Sequence, residues 1–482
     1  MSSRPGAGAR RDRSRVGRER LFAYAQDDKR GDHRGKVLAA GMTDTIFALA
    51  SGAGRAGVAV YRLSGPGAGP ALAALTGRDL PAPRTAVRAR LRDGGGDVID
   101  DGLALWFPAP RSFTGEDVAE LHLHGGRAVG RAVAERLLGL GLRPAEAGEF
   151  SRRAVVNGKM DLTRAEAVAD LVEAETAAQR RQALRQMDGG LESRIEGWRQ
   201  IVVGALAYVE AAIDFADEGM PGDLMAGVSA RVSALAAEIE AALADNRRGE
   251  RLRDGLHIAI LGAPNAGNSS LLNRLAGREA AIVSGIAGTT RDVIEVHLDL
   301  GGWPVVVADT AGLRDAAGEI EAEGIRRALA RAQAADLKLA VFDGAARPVI
   351  DGATRALVDG DAVVVVNKAD IAGGGVPATV EGRPALAVSA RTGAGIDALV
   401  AALEHEVASR LEGGGAPPLT RERPRAAAME CRTALRRFDP AGEIELAAED
   451  LRMAGRALGR ITGRIDVEEL LDVVFRDFCI GK

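Results

Sequence analysis

The feature that most constrains this chain is a set of loops, each closing a predicted strand. Leu256-His-Ile-Ala-Ile-Leu261 has the apolar pattern of a buried strand, and Gly262-Ala-Pro-Asn-Ala-Gly-Asn-Ser-Ser270 follows it before the helical Leu271-Leu-Asn-Arg-Leu275. A strand, a loop with glycines five residues apart and a helix start form a phosphate cradle. Backbone N–H groups and the helix dipole face the anion there, and glycine permits close approach. The cradle comprises Asn265, Ala266, Gly267, Asn268, Ser269 and Ser270. Three further loops follow in order: Asp309, Thr310, Ala311 and Gly312 after the strand at Val305; Asn367, Lys368, Ala369 and Asp370 after Ala362 to Val366; and Ser389, Ala390 and Arg391 after a third strand. Strands alternating with helices over 255–410 predict a Ras-like, doubly wound α/β P-loop domain.

The residue types indicate what these loops bind. Ser269 occupies the position of a hydroxyl ligand to Mg²⁺. Asp309 places a carboxylate near that metal, and Gly312 a flexible glycine near the terminal phosphate. Between the first two loops, Gly288-Thr-Thr-Arg-Asp292 offers Thr290 to the same Mg²⁺ from a switch loop. The Asp370 carboxylate can accept both N–H groups on guanine's edge, which adenine does not offer, so an adenine would leave the site's polar atoms unpaired. Together these predict a guanine-nucleotide site for GTP. Position 268, where such loops carry lysine, is Asn. A lysine there donates charged hydrogen bonds worth about 1.5–3 kcal/mol each. Asn268 is shorter and neutral, so losing one such bond predicts roughly a ten- to hundredfold deficit in affinity or rate. One base separates the two codons, and an acquired rather than native substitution is the alternative.

Length and composition set the frame. The 482 residues, 46% hydrophobic and 27% charged, fit a multidomain globular protein. No apolar run is long enough to span a bilayer, and two cysteines, Cys431 and Cys479, suit a reducing cytoplasm. Residues 1–41 carry eleven Lys/Arg against five acids, giving +6 and leaving −10 for the rest of a chain whose net charge is −4. We read 1–42 as a basic, disordered tail. A nucleic-acid-binding arm, a transit peptide and upstream sequence ahead of Met42 are the competing accounts. Residues 43–157 mix short strands, among them Val58 to Leu63 and Leu103 to Phe107, with helical stretches, as in a compact α/β domain. Leu162 to Gln186 and Ile195 to Phe215 show helical periodicity. Residues 412–418 look like a linker, and helical sequence follows. The expected plan is an α/β domain over 43–157, a discontinuous helical domain over 158–254 and 411–482, and the P-loop domain inserted at 255–410.

Beyond these loops, the chain from Thr43 to Lys482 resembles the MnmE (TrmE) family of tRNA wobble-uridine modification GTPases. The marks are Asp44-Thr-Ile46, Arg62-Leu-Ser-Gly65, Ser112-Phe-Thr-Gly-Glu-Asp117, Gly148-Glu-Phe-Ser151, Lys159-Met-Asp-Leu162, Asn265-Ala-Gly and the terminal Cys479-Ile-Gly-Lys482. The resemblance implies a homodimer joined through N-terminal domains that bind a 5-formyl- or 5,10-methylene-tetrahydrofolate. Matched positions are Arg62, Glu120, Lys159 and Lys482. Cationic groups suit folate's carboxylates, and a carboxylate suits the pterin amino edge. It implies potassium-dependent hydrolysis, with Asn265, Ser284, Ile286 and Thr289 around K⁺ in a loop that includes Gly285, Ala287 and Gly288. Glu321 matches a water-orienting glutamate, and Cys479 a near-terminal thiol close to the folate. The implied partners are tRNA and MnmG, a flavoprotein, in a heterotetramer or larger complex. Two rival readings stand beside this: a GTP- and folate-binding scaffold in which Asn268 impairs hydrolysis, and a ribosome-assembly GTPase, for which no added RNA-binding domain is evident.

Two further signals are set aside. Gly52-Ala-Gly-Arg-Ala-Gly57 fits a dinucleotide-binding pattern but precedes its strand instead of following one. His122 and His124 share one face of a strand without a nearby third metal ligand.

Overall fold

The computed structural model describes residues 44–214, 222–245, 247–277, 295–309, 335–373, 375–413, 419–464, 471, 474–475, 478–479 and 481. The basic tail lies outside them, as do 414–418 of the linker. The chain divides into two compact units, Met1–Met160 with Glu468–Lys482, and Asp161–Val467.

The first unit is built on a six-stranded sheet of order β3-β4-β5-β2-β1-β6. Its strands are β1 (Ile46–Leu49), β2 (Ala59–Ser64), β3 (Val87–Arg92), β4 (Val98–Phe107), β5 (Val118–Leu123) and β6 (Arg143–Pro144). Neighbours pair antiparallel except β1 with β6. Helices α1 (Ala68–Thr76) and α2 (Arg127–Gly139) contribute Leu72, Leu75, Val133 and Leu137 to the core against Leu63, Leu91 and Leu121. Helix α3 (Glu149–Val156) follows β6. Alternation along β2 buries Ala59, Tyr61 and Leu63 in that core and turns Arg62 to the other face.

Among the described residues, the second unit holds a helical core and, around a sheet, three further apolar clusters. Helices α6 (Gly190–Asp214), α7 (Gly222–Leu243), α12 (Glu422–Arg437) and α13 (Ile444–Thr462) enclose Trp198, Ile239, Leu451 and Leu458. The predicted helical run Leu162 to Gln186 is two helices, α4 (Leu162–Glu173) and α5 (Ala177–Met187). The break has a local cause: Thr176 caps α5 in a capping box with Gln179, and that cap needs extended backbone at Thr176. Between α8 (Arg248–Asp254) and α12 the chain builds a seven-stranded sheet of order β12-β13-β11-β10-β7-β9-β8. Strands β7 (Leu256–Gly262), β9 (Trp303–Asp309), β10 (Leu337–Asp343), β11 (Ala362–Asn367) and β13 (Arg383–Ala387) run parallel. Strands β8 (Glu295–Leu300) and β12 (Thr379–Val380) pair antiparallel at the edges. Helices α9 (Asn268–Ala276) and α11 (Ile396–Leu411) cover one face, with the short α10 (Gly352–Arg355) after β10. The fold is thus an α/β N-terminal unit and a discontinuous helical domain carrying an inserted Ras-like α/β P-loop domain.

Candidate functional site

In the parallel sheet, β7, β9, β11 and β13 lead at their carboxyl ends into the predicted loops, where α/β sheets bind ligands. Gly262 leads from β7 into the cradle, Asn265 takes a left-handed φ of 66°, and Gly267 (φ 94°) opens α9. At Gly267 a side chain would collide with Asn367 Nδ2, so only glycine fits. Asn367 ties the loops together. Its Nδ2 donates to Ala266 O at 2.8 Å, and its Oδ1 accepts from Ala390 N–H at 3.0 Å. One buried side chain therefore fixes the phosphate loop against the Ser389–Arg391 loop, a bridging role that sequence alone left unstated.

Ser269 Oγ donates to Asp309 Oδ2 at 2.5 Å, with Asp309 only 3% exposed. Two hard oxygen ligands stand side by side at the helix start, a donor set that suits Mg²⁺. Asn268 behaves differently. Its side chain turns back under the loop, with Nδ2 3.5 Å from Gly262 O and the buried Oδ1 lacking a hydrogen-bond partner among the described residues. A neutral amide folded into the loop does not extend toward the phosphates as a lysine ammonium does.

At the base-binding end, Ala369 N donates to Val388 O at 2.9 Å, joining the two loops through their backbones. The Ser389 hydroxyl and the Arg391 guanidinium, the latter at 2.6 Å, hold the Asp370 carboxyl below its ordinary range. Asp370 is thus an ionised acceptor, as a guanine edge requires. Lys368 Nζ pairs with Asp343 Oδ2 at 2.8 Å. Asp343 and Asn367 are register partners at the ends of β10 and β11, so this pair anchors the Lys368 side chain at the carboxyl end of the sheet. Sequence reasoning missed Asp343, whose only signal was its place at a strand end. Ser284, Gly285, Ile286, Ala287, Gly288, Thr289, Thr290, Thr310, Ala311, Gly312, Glu321 and Lys482 lie outside the described residues.

The expected folate positions fall in the first unit. Arg62 and Glu120 are register partners on β2 and β5, and the guanidinium meets Glu120 Oε1 at 2.9 Å. Arg62 also lies over the rings of Phe113 at 5.4 Å and Phe150 at 5.8 Å. Lys159 Nζ donates to Pro110 O at 3.0 Å, and its stem runs beside Gly115. The loop between β4 and β5 thus meets Arg62 at Phe113 and Lys159 at Pro110 and Gly115, and Glu120 reaches it only through Arg62. Cys479 is exposed, and its carbonyl accepts from Gly148 N at 3.4 Å; Gly481 lies against Leu49 and Ala50, beside β2. Cys431 is buried in the helical core, and burial pushes its thiol up to about 12.

The motif residues Asp44, Glu116 and Glu149 converge on Arg153, 1% exposed, at 2.8, 3.1 and 2.9 Å. Nothing in the sequence pattern singled out Arg153. His122 faces Glu120, His124 faces Asp100, and no group of three metal-ligating side chains occurs among the described residues.

These features define a multidomain protein with a guanine-type P-loop domain set into helices. Comparison with known proteins gives the family. Residues 162–479 match the MnmE helical domain, and residues 45–159 match the GTP-binding protein TrmE N-terminus. A tRNA modification GTPase MnmE from Paramagnetospirillum magneticum is 67% identical over 92% of this chain and 100% of its own length. Those of Rhodospirillum rubrum (59%, covering 91% and 99%) and Parvibaculum lavamentivorans (58%, covering 91% and 100%) are similar as well. The chain belongs to the MnmE family of tRNA modification GTPases.

Proposed function

We propose that this chain is a potassium-dependent GTPase that works with an MnmG-type flavoprotein. It modifies carbon 5 of the wobble uridine in certain tRNAs, using a one-carbon unit from a tetrahydrofolate. The observation that carries the nucleotide half is the Asn367 bridge, which assembles the phosphate and base loops into one site. Family membership carries the tRNA half. In this reading Asp370 selects guanine, Lys368 flanks the base, and the cradle of Asn265 to Ser270 holds the phosphates. Ser269 and Thr290 hold Mg²⁺; Asn265, Ser284, Ile286 and Thr289 hold K⁺; Glu321 orients the attacking water. The two cations, when bound, offset charge that develops on the transferring phosphoryl group. Arg62, Glu120, Lys159 and Lys482 bind the folate, with Cys479 close by, and the protein acts in the cytoplasm as a homodimer in complex with its flavoprotein partner.

One observation favours a second reading. Asn268 is folded beneath the loop and neutral, which favours a scaffold that binds GTP and folate but hydrolyses poorly. Both are tested by measuring GTP hydrolysis in potassium against sodium, alongside wobble-uridine analysis of cells that rely on this chain. Potassium stimulation with modified uridine supports the GTPase. Normal modification with no potassium stimulation supports the scaffold, and unmodified uridine would defeat both.

A further inference from the structure

Arginines elsewhere in the helical core face carboxylates: Arg421 meets Asp170, Arg423 meets Glu166, Arg425 meets Asp245 and Arg432 meets Glu240. Helix α5 departs from this. Its Arg180, Arg181 and Arg185 are exposed, and among the described residues none of their side chains has a hydrogen-bonding or ion-pairing partner. At 100° per residue, positions 180, 181, 184 and 185 share an arc of about 140°. Ala183 and Gln186 are buried on the opposite side and Ala178 at the edge of the arc, and Gln186 Nε2 donates to Thr163 O at 3.1 Å. Of the nearby acids, Glu175 is paired with His297, and the exposed Asp188, whose backbone N–H caps the helix, offsets one charge on the arc and leaves it three guanidiniums against one carboxylate. The capping box at Thr176 and Gln179 holds the first turn, so the arginines project from a fixed helix.

We propose that this face of α5 binds the phosphate backbone of tRNA, a surface for the substrate named in the functional reading, on which the proposal rests. The chain has a net charge of −4, so three arginines against one carboxylate on this face are a local feature and not part of a general excess. Arginine is a preferred phosphate donor in nucleic-acid complexes, and phosphate contacts position the ligand without reading its sequence. The one exposed apolar residue on the arc is Leu184. Protein interfaces set arginine among aromatic and apolar anchors, and this arc offers only Leu184, so the chemistry fits RNA better than a protein surface.

The test is binding of a labelled tRNA transcript with a wobble uridine to the full chain, repeated over a range of salt. It compares the unsubstituted chain with the triple variant Arg180→Gln/Arg181→Gln/Arg185→Gln and with Arg231→Gln. Arg231 is a lone exposed arginine on α7. Glutamine keeps the helix, and basal GTP turnover should stay unchanged because α5 lies outside the nucleotide loops. The triple variant should bind roughly tenfold or more weakly, and its log K against log salt slope should fall by about one per guanidinium removed. Arg231→Gln should do neither. Equal affinity and slope in the triple variant would overturn the assignment of this face. No tRNA binding by the unsubstituted chain would overturn the functional reading along with it. Unchanged tRNA affinity with lost binding to the flavoprotein would make the face a protein interface and also overturn the proposal.

Discussion

At the level of single residues, the chain differs from its loop pattern at one position, Asn268. If Asn268 is what limits phosphate binding, Asn268→Lys should raise GTP affinity or turnover roughly ten- to hundredfold, the worth of one recovered charged hydrogen bond. Side-by-side single-turnover assays check this, and equal rates would refute it. The two cysteines give a second prediction. Cys479 is exposed, whereas Cys431 lies in the helical core with its thiol pushed up to about 12. Since the thiolate is the reactive form, iodoacetamide should label Cys479 in the native protein and Cys431 only after unfolding, as peptide mass mapping would read. The placement of a residue at a strand end was legible where a loop had a sequence pattern, as at Asp309 and Asp370. Contacts were hidden where they join distant partners, as at Asn367. Arg153 gathers Asp44, Glu116 and Glu149, and those three acids lie in separate motifs whose convergence only the fold reveals.

Among the elements, the capping box of α5 does two jobs. Gln179 closes the cap with Thr176, and its Nε2 donates to Arg253 O at 2.7 Å at the end of α8, just before β7. The preceding N–H of α5, from Ala178, donates to Gly302 O at 3.0 Å in the β8–β9 turn. Gln179→Ala should cost about 1 kcal/mol, the usual worth of a lost cap, with exchange protection falling first in α5 and the start of β7. A change confined to the mutated turn would contradict this linkage. The strands of the P-loop domain were legible in sequence because parallel strands buried on both faces read as continuous apolar runs, as in Ala362 to Val366. The division of Leu162 to Gln186 into two helices was not, because helical periodicity continues across a break set by one cap.

For the whole molecule, the two units differ in what holds them. In the first, burial would raise the Glu149 and Asp44 carboxyls, but the Arg143 and Arg153 guanidiniums outweigh it and hold both below their ordinary values of 4.5 and 3.8. Groups with depressed folded-state values stabilise the fold above their unfolded values, and that contribution is lost as pH falls through the folded ones. Hydrogen exchange in peptides from 44–160 should therefore show protection falling as pH drops below about 4.5, with Glu149→Gln flattening the decline; protection rising with acidity would refute the account. The architecture itself was readable from alternation, helical period and the order of loops, whereas the grouping of the last residues with the first unit rests on tertiary packing.

In the proposed reading, the inserted domain recognises guanine through Asp370. Titrating the chain and its Asp370→Asn variant with labelled GDP, ADP and XDP tests it most directly. The native chain should prefer GDP over ADP by a factor on the order of 10⁴, and the variant, which exchanges an acceptor for a donor, should prefer XDP. Equal affinity for GDP and ADP, or GDP binding undiminished in the variant, would contradict it.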